Sequence, residues 1–220
     1  AVLGISGQKD GLSLENSKWL VDTSLQKISY SMTFADWGVN LGFMRLADDS
    51  GFNWTSATGT SNGTAYYSEN MAMLALGREA FGLYWGAVYK NFSKTAVDEK
   101  SFGNADIGIL YDSRSFWKFG AKCNNILAAS EKNDKTVYYE IGMEFRLSQL
   151  FTQIEMLGNL NKYRFSAGYQ NDWLLLNSGL DEDNNFSAGI RLNIWSLILE
   201  YAFKNMDIGN VSRFGLVLQL

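Results

Sequence analysis

The sequence predicts an all-β fold: a transmembrane antiparallel β-barrel of about fourteen strands. Three observations carry that prediction. Apolar side chains recur at every second residue, the period of a strand and not that of a helix. The connections between these segments are by turns short and long, as on the two rims of a barrel that crosses a membrane. Four of the seven tryptophans follow a short turn, namely Trp37, Trp117, Trp173 and Trp195. An indole prefers headgroup depth, where its ring is half dry and its N–H stays wet, so these four form a candidate aromatic girdle at the short-turn rim.

Taken in order, the segments begin with Gly11 to Trp19, the weakest of them. From Leu25 a segment runs to the short turn Ala35-Asp36, and a long connection spans Asp48 to Thr64. After a short turn at Gly77 to Glu79, Phe81, Leu83, Trp85, Ala87 and Tyr89 oppose Gly82, Gly86 and Lys90. Ala105, Ile107, Ile109 and Tyr111 oppose Asp106 and Gly108; Trp117, Phe119, Ala121 and Cys123 oppose Lys118, Gly120 and Lys122. The clearest segment is Thr136 to Leu147. Its odd residues, Val137 to Leu147, are apolar, while Glu140, Glu144 and Arg146 stand among the even ones. The same alternation recurs over 162–170, 186–194, 195–204 and 213–220, with Trp173 to Ser178 less regular. Across the eight best segments no apolar-face position is charged, although 19% of the chain is. Fourteen strands result, or twelve if Gly11 to Trp19 and Trp173 to Ser178 are irregular. Residues 1–10 are set apart as an N-terminal periplasmic or luminal segment, and 11–220 form one barrel.

A soluble sandwich or lipocalin-like barrel would alternate too, but its large aromatics would have to fill the interior. Here the polar face carries many Gly and Ser, which suits a crowded lumen or strong curvature. The chain also has no Pro, which the turns of soluble β-proteins commonly use.

Composition excludes several functions. Of 220 residues 46% are hydrophobic and 15% aromatic; there is no His and one Cys, and the net charge is −4. Without imidazole there is no Ser-His-Asp triad, no Cys-His pair and no His metal site. Cys123 alone forms neither an internal disulfide nor a thiolate zinc site. An acidic chain without a basic run is no nucleic-acid binder. No run of 18 apolar residues offers a membrane helix, and AVLGISGQKDG lacks the features of a signal peptide. Glu140 and Glu144 lie about 13 Å apart at strand rise, too far for a glycosidase pair. No catalysis, cofactor or metal is expected.

The polar face of those eight segments holds nine bases: Lys90, Lys118, Lys122, Arg146, Lys162, Arg164, Arg191, Lys204 and Arg213. Four acids stand against them: Asp106, Glu140, Glu144 and Glu200. These are the candidate lumen-lining charges. They form an anion-preferring path, since rings of Lys and Arg favour anions, or a salt-bridged filling of a narrow barrel. The long-side loops are acidic, with Asp48, Asp49, Asp98, Glu99, Glu131, Asp134, Asp181, Glu182, Asp183 and Asp207 against Lys94, Lys100, Lys132 and Lys135. Such loops hold divalent cations that bridge lipid phosphates, or are simply solvated. The run Asp181-Glu182-Asp183-Asn184 is too short for an EF-hand loop. A hydrophobic-solute path would need an apolar inner patch, for which Tyr84, Val88, Leu110, Tyr138, Ile198 and Val217 are candidates.

The run Leu199-Glu200-Tyr201-Ala202-Phe203, followed by Asp207-Ile208-Gly209-Asn210-Val211-Ser212-Arg213-Phe214-Gly215-Leu216, resembles the last hairpin of PorV/PorQ-type barrels of the FadL-like outer-membrane superfamily. Ser17-Lys18-Trp19-Leu20 to Tyr30 is similar to that family's first strand and loop. The resemblance implies fourteen strands in the bacterial outer membrane and contact with outer-membrane lipid. It also implies a membrane-embedded partner of a protein export or surface-attachment complex, docking at the outer loops or periplasmic rim. The alternative is a transporter or channel, FadL-like for hydrophobic solutes or porin-like for anions. The family usually carries an N-terminal hatch with Asn-Pro-Ala, whereas this chain has no Pro, and it ends in Leu220 and not in an aromatic.

Overall fold

A computed structural model describes residues 10–19, 23–34, 36–48, 52–55, 61–65, 67–95, 99–127, 136–158, 162–206 and 209–220. Residues 1–9 lie outside the described residues, as do the loop charges Asp49, Asp98, Glu131, Lys132, Asp134, Lys135 and Asp207.

Sixteen strands are described. They are β1 (Gly11–Trp19), β2 (Thr23–Phe34), β3 (Trp37–Asp48), β4 (Phe52–Thr55), β5 (Ser61–Ala65), β6 (Ser68–Ala80), β7 (Leu83–Thr95) and β8 (Glu99–Asp112). They continue as β9 (Trp117–Asn124), β10 (Tyr138–Leu147), β11 (Leu150–Leu157), β12 (Lys162–Gln170), β13 (Leu174–Asp181), β14 (Phe186–Ile194), β15 (Leu197–Met206) and β16 (Gly209–Gln219). Fourteen of them close into one antiparallel barrel; β4 and β5 form a separate hairpin within the connection expected to be a plain loop. The two segments that could have been irregular are therefore β1 and a full β13.

Closure is made by β1, which pairs β16 from Gly11↔Gln219 to Trp19↔Val211. A closed ladder leaves no edge strand with unmade hydrogen bonds, which is the condition for a sheet to stand in hydrocarbon. Asp10 fastens the seam at the short-turn end. Its carbonyl accepts from Leu220 N at 2.7 Å and its carboxylate from Thr33 N at 2.8 Å.

Alternation gives the wall two unlike faces. On β7, Leu83, Trp85, Ala87 and Tyr89 are exposed, while Tyr84, Gly86 and Val88 between them are buried. The exposed face continues around the barrel through Leu41, Leu74, Ile107, Ile109, Phe119, Ile141, Ile154, Phe165, Ile190 and Phe214. An apolar belt of that extent belongs in lipid, so the chain is a membrane-embedded barrel. The wall is uneven in height. The barrel strands β2, β3, β6, β7 and β8 have 12 to 14 residues, and β9 to β16 have 8 to 11.

Two short turns fall elsewhere than the sequence suggests. β6 continues through Ala80, and the turn is Phe81-Gly82, with φ of 56° and 77°. Two-residue hairpins need left-handed backbone, and Gly82 supplies it where Gly77 to Glu79 do not. Gly77 instead sits within the ladder opposite Gly86. Trp195 is also at a turn tip (φ 54°) and not on a strand face. Both aromatics project fully, at 104% and 96% of their reference exposure.

On the opposite rim, the acidic run 181–184 is a hydrogen-bonded turn. The Asp181 carboxylate accepts from Asp183 N (3.1 Å), Asn185 N (2.9 Å) and Asn185 Nδ2 (3.0 Å), and pairs with Lys204 Nζ at 2.7 Å. Its oxygens are thus occupied by protein donors. Replacing Asp181 with Ala leaves several half-buried donors unpaired. We expect a loss of about 2 kcal/mol, measured as a lowered urea midpoint for the barrel folded in lipid vesicles. An unchanged midpoint would show that this turn does not anchor β13 to β15.

Candidate functional site

The inner face of the barrel divides into a charged arc and an apolar arc. On the charged arc every base singled out from the sequence meets an acid. Lys90 Nζ lies 2.7 Å from Asp106, Lys118 3.1 Å from Asp112, and Arg146 2.9 Å from Glu144. Lys122 lies 4.0 Å from Asp106 and 3.9 Å from Glu140. Lys162 meets Glu182 at 3.6 Å, Arg164 meets Glu155 at 3.8 Å, and Lys204 meets Asp181. Arg191 reaches Glu200 at 2.6 Å, and Arg213 bridges Glu200 (3.6 Å) and Glu15 (3.3 Å). Glu15 also faces Lys27 at 4.0 Å. The excess of bases counted on eight segments therefore disappears. Glu15, Asp112, Glu155, Asp181 and Glu182 lie outside that count, because β1 and β11 alternate weakly, Asp112 ends its strand, and Asp181 and Glu182 fall in a run that reads as loop.

The charged arc is not filled. A cavity of about 380 Å³ is lined by Leu110, Lys118, Lys122, Glu140, Glu144 and Gln153. Another of about 570 Å³ is lined by Gln153, Arg164, Asp181, Lys204, Met206 and Val211. Among the described residues no group of three or more acids or thiols is placed to hold a metal ion.

The apolar arc was not visible in the sequence. Met71, Phe92 and Phe102 are buried together, with Met44 and Met73 packed against them. The register explains the cluster: Met44 stands opposite Met71, Met71 opposite Phe92, and Phe92 opposite Phe102, one ladder row across β3, β6, β7 and β8. The two rings stack, with centroids 5.0 Å apart and planes 20° apart. Gly42 makes room for Met73, whose Cγ lies 2.9 Å from where a Cβ would be. Further toward the short turns, Gly38, Gly77, Gly86 and Gly108 form a row of their own, where the wall can bend sharply. Of the apolar inner candidates read from sequence, Tyr84 and Val88 are buried below the cluster. Leu110 stands directly opposite Tyr84 and Ile198 directly opposite Val217, the second pair on another part of the wall, while Tyr138 lies apart on β10.

A buried polar knot marks one border between the arcs. Lys90 Nζ lies 5.9 Å over the Phe92 ring while pairing with Asp106. Asp106 also accepts from Asn125 N at 3.0 Å, and fully buried Asn104 donates to Asn125 Oδ1 at 3.2 Å. Asn104 Oδ1 accepts from Leu127 N at 3.2 Å, so the chain beyond β9 is tied back to the inner wall.

The four girdle tryptophans lie at short turns. Trp37 packs edge-on to Trp85 at 5.1 Å with the Arg78 guanidinium 5.7 Å over it; Trp117 contacts Phe145 at 4.6 Å. Trp173 precedes β13, and Trp195 tips the β14–β15 turn. Exposed Phe34, Phe81, Phe116, Leu147 and Leu150 stand at the same rim.

No protein-family profile and no curated sequence matches the chain. Solved structures do. The toluene transporter TbuX of Ralstonia pickettii superposes with a TM-score of 0.63 at 9% identity, over 96% of this chain and 88% of that one. The toluene transporter TodX of Pseudomonas putida gives 0.64 at 10% identity, over 95% and 87%. A triple mutant of the Rhodopseudomonas blastica porin gives 0.51 at 7%, over 96% and 99%. The chain therefore shares the fold of outer-membrane β-barrels.

Proposed function

We propose that the chain is an outer-membrane channel for small hydrophobic solutes, resident in a Gram-negative bacterium. The observation that carries this reading is the Met44–Met71–Phe92–Phe102 row inside an otherwise ion-paired barrel. A barrel that only scaffolds, or only passes ions, has no use for an apolar inner wall toward its long-loop rim. Stacked rings offer a flat apolar partner, and flexible thioethers re-pack around ligands of different shape. The similarity to two toluene transporters supports the same substrate class. Partnership in an export complex has the resemblance of the last hairpin behind it, and nothing on the inner wall adds to that.

In this reading a solute leaves water by parting the buried Met/Phe row, whose flexible Met side chains re-pack around it. It then passes the knot of Lys90, Asp106 and Asn104 to reach the cavities along the charged arc. Burial of apolar surface drives the first step, at about 25 cal/mol per Å². The knot divides the two compartments because opening it would part the Lys90–Asp106 pair.

Cells carrying the chain should take up radiolabelled toluene faster than cells without it. Met71→Gln or Phe102→Gln should cut that rate about tenfold, the effect of placing an unpaired amide in the row. Heat-modifiable migration of the variants would show that they fold. Uptake equal to that of control cells would overturn the reading.

Ion pairing sets a second expectation. In a planar bilayer with a salt gradient, the wild-type barrel should show little ion selectivity, because its inner charges neutralise one another. Asp106→Asn deprives Lys90 of its acid, while Lys122 keeps Glu140, and should shift the reversal potential toward anion preference. Strong anion selectivity in the wild type would show that the pairs do not cancel in the lumen.

A further inference from the structure

The membrane-facing wall carries a polar inlay that solute passage does not use. Four positions stand eight residues from the short-turn end of their strands: Gln26 on β2, Arg45 on β3, Tyr139 on β10 and Phe186 on β14. On one side of the barrel that level is aromatic; on the other it is an amide and a guanidinium. Asn16 faces Gln26 and Gln26 faces Arg45 across the ladder, so all three lie side by side on β1 to β3. All three are exposed. They point outward: Met44, beside Arg45 in the chain, packs against the inner cluster, and Glu15, beside Asn16, pairs with Arg213 on the inner face. Among the described residues Arg45 has no ion pair, hydrogen bond or ring contact.

A charge on the lipid face of a barrel is costly at the midplane and nearly free at the interface. Eight residues of a strand tilted by about 40° climb about 20 Å, close to the full height of the apolar band. Arg45 therefore sits where the acyl region gives way to headgroups, opposite the tryptophan rim. Beneath it, a groove of about 570 Å³ runs over the wall, lined by Leu14, Ile28, Phe43, Phe214 and Leu216 along with the three polar residues, and by Glu15 and Lys27 between them, which pair with each other at 4.0 Å. A planar guanidinium takes a phosphate through two parallel hydrogen bonds, and the two amides add donors beside it. Lys18, two residues beyond Asn16 on the same outward face, brings a second cation; strands two apart are about 10 Å from each other, within reach of both side chains.

We propose that this inlay is a binding site for one lipid of the surrounding membrane whose phosphate headgroup carries net negative charge. The phosphate sits on Arg45 and Lys18, and an acyl chain lies in the groove over β16, β1, β2 and β3. The occupant is a lipid because the groove floor descends into the apolar band, where acyl chains are the resident partner. This site is independent of the solute reading.

The test is native mass spectrometry of the folded barrel released from bilayers of equal parts phosphatidylglycerol and phosphatidylcholine. The wild type should retain phosphatidylglycerol about thirtyfold over phosphatidylcholine, as two basic contacts at a membrane surface give. Arg45→Gln should lower the ratio to about fivefold, Arg45→Gln with Lys18→Gln should bring it near parity, and Arg45→Lys should keep most of it. Arg114→Gln, which removes an equal charge at the short-turn rim, should leave it unchanged. Equal retention of both lipids by the wild type would overturn the proposal. So would an unchanged ratio in folded Arg45→Gln, or a lipid-free mass of two chains, which would assign the groove to a second copy.

Discussion

Backbone hydrogen bonding is the constraint on which everything else here depends. In hydrocarbon an unpaired N–H or C=O costs several kcal/mol, so a sheet can stand there only as a closed ladder. The β1–β16 pairing closes it, and every inner-face feature inherits its position from that ladder. Side chains alternate with period two, so a slip of one residue between any two strands would turn lysines into the lipid and phenylalanines into the lumen. The ion pairs act as a register lock. Glu15 with Arg213, Arg191 with Glu200, and Lys90 with Asp106 each join neighbouring barrel strands, and each would break on a slip. Their net worth as stabilisers is small; their worth as determinants of register is large, because the slipped alternative buries bare charges in lipid.

What the sequence made legible follows from the same period. Segment 136–147 announces itself because its two faces differ in every residue pair, and the outward set from Tyr139 to Leu147 is the lipid face of β10. Fourteen strands could be counted because a strand needs only local contrast. The turns at Phe81-Gly82 and Trp195-Ser196 were misplaced because aromatic residues look like strand in any composition-based reading. Their left-handed backbone is imposed by the hairpin, not signalled by the side chain. The Met/Phe row was hidden for a different reason. Met44, Met71, Phe92 and Phe102 lie far apart in the chain, and only the cross-strand register sets them in line.

The charge balance of the lumen shows how a partial count misleads. Bases stand on strands with clean alternation, where they are easy to assign to the polar face. Their partners Glu15, Glu155 and Asp181 stand on strands with weaker patterns, and Asp181 was counted as loop. A pair distributed over a clear and an unclear strand appears in sequence as a single charge. The excess of bases on the clearly alternating strands arises from that asymmetry.

The tall side of the barrel ties these points together. A crossing needs about 9–11 residues, and β6, β7 and β8 have 13, 13 and 14. Along the surplus length the polarity of the wall inverts. Outward positions become Asn70, Asn91, Ser93 and Ser101, while inward positions become Met71, Phe92 and Phe102. That is the arrangement of a water-soluble sheet, apolar inside and polar outside. The upper part of this wall therefore stands above the acyl region, with its own small core facing the barrel mouth. The inversion packs these apolar side chains against one another on the inner side, buried from water and away from lipid. In the proposed transport role, a hydrophobic molecule entering at the long-loop rim would have to part this packing to use it. The uneven strand lengths are thus the geometric reason an apolar inner site can exist in this barrel at all.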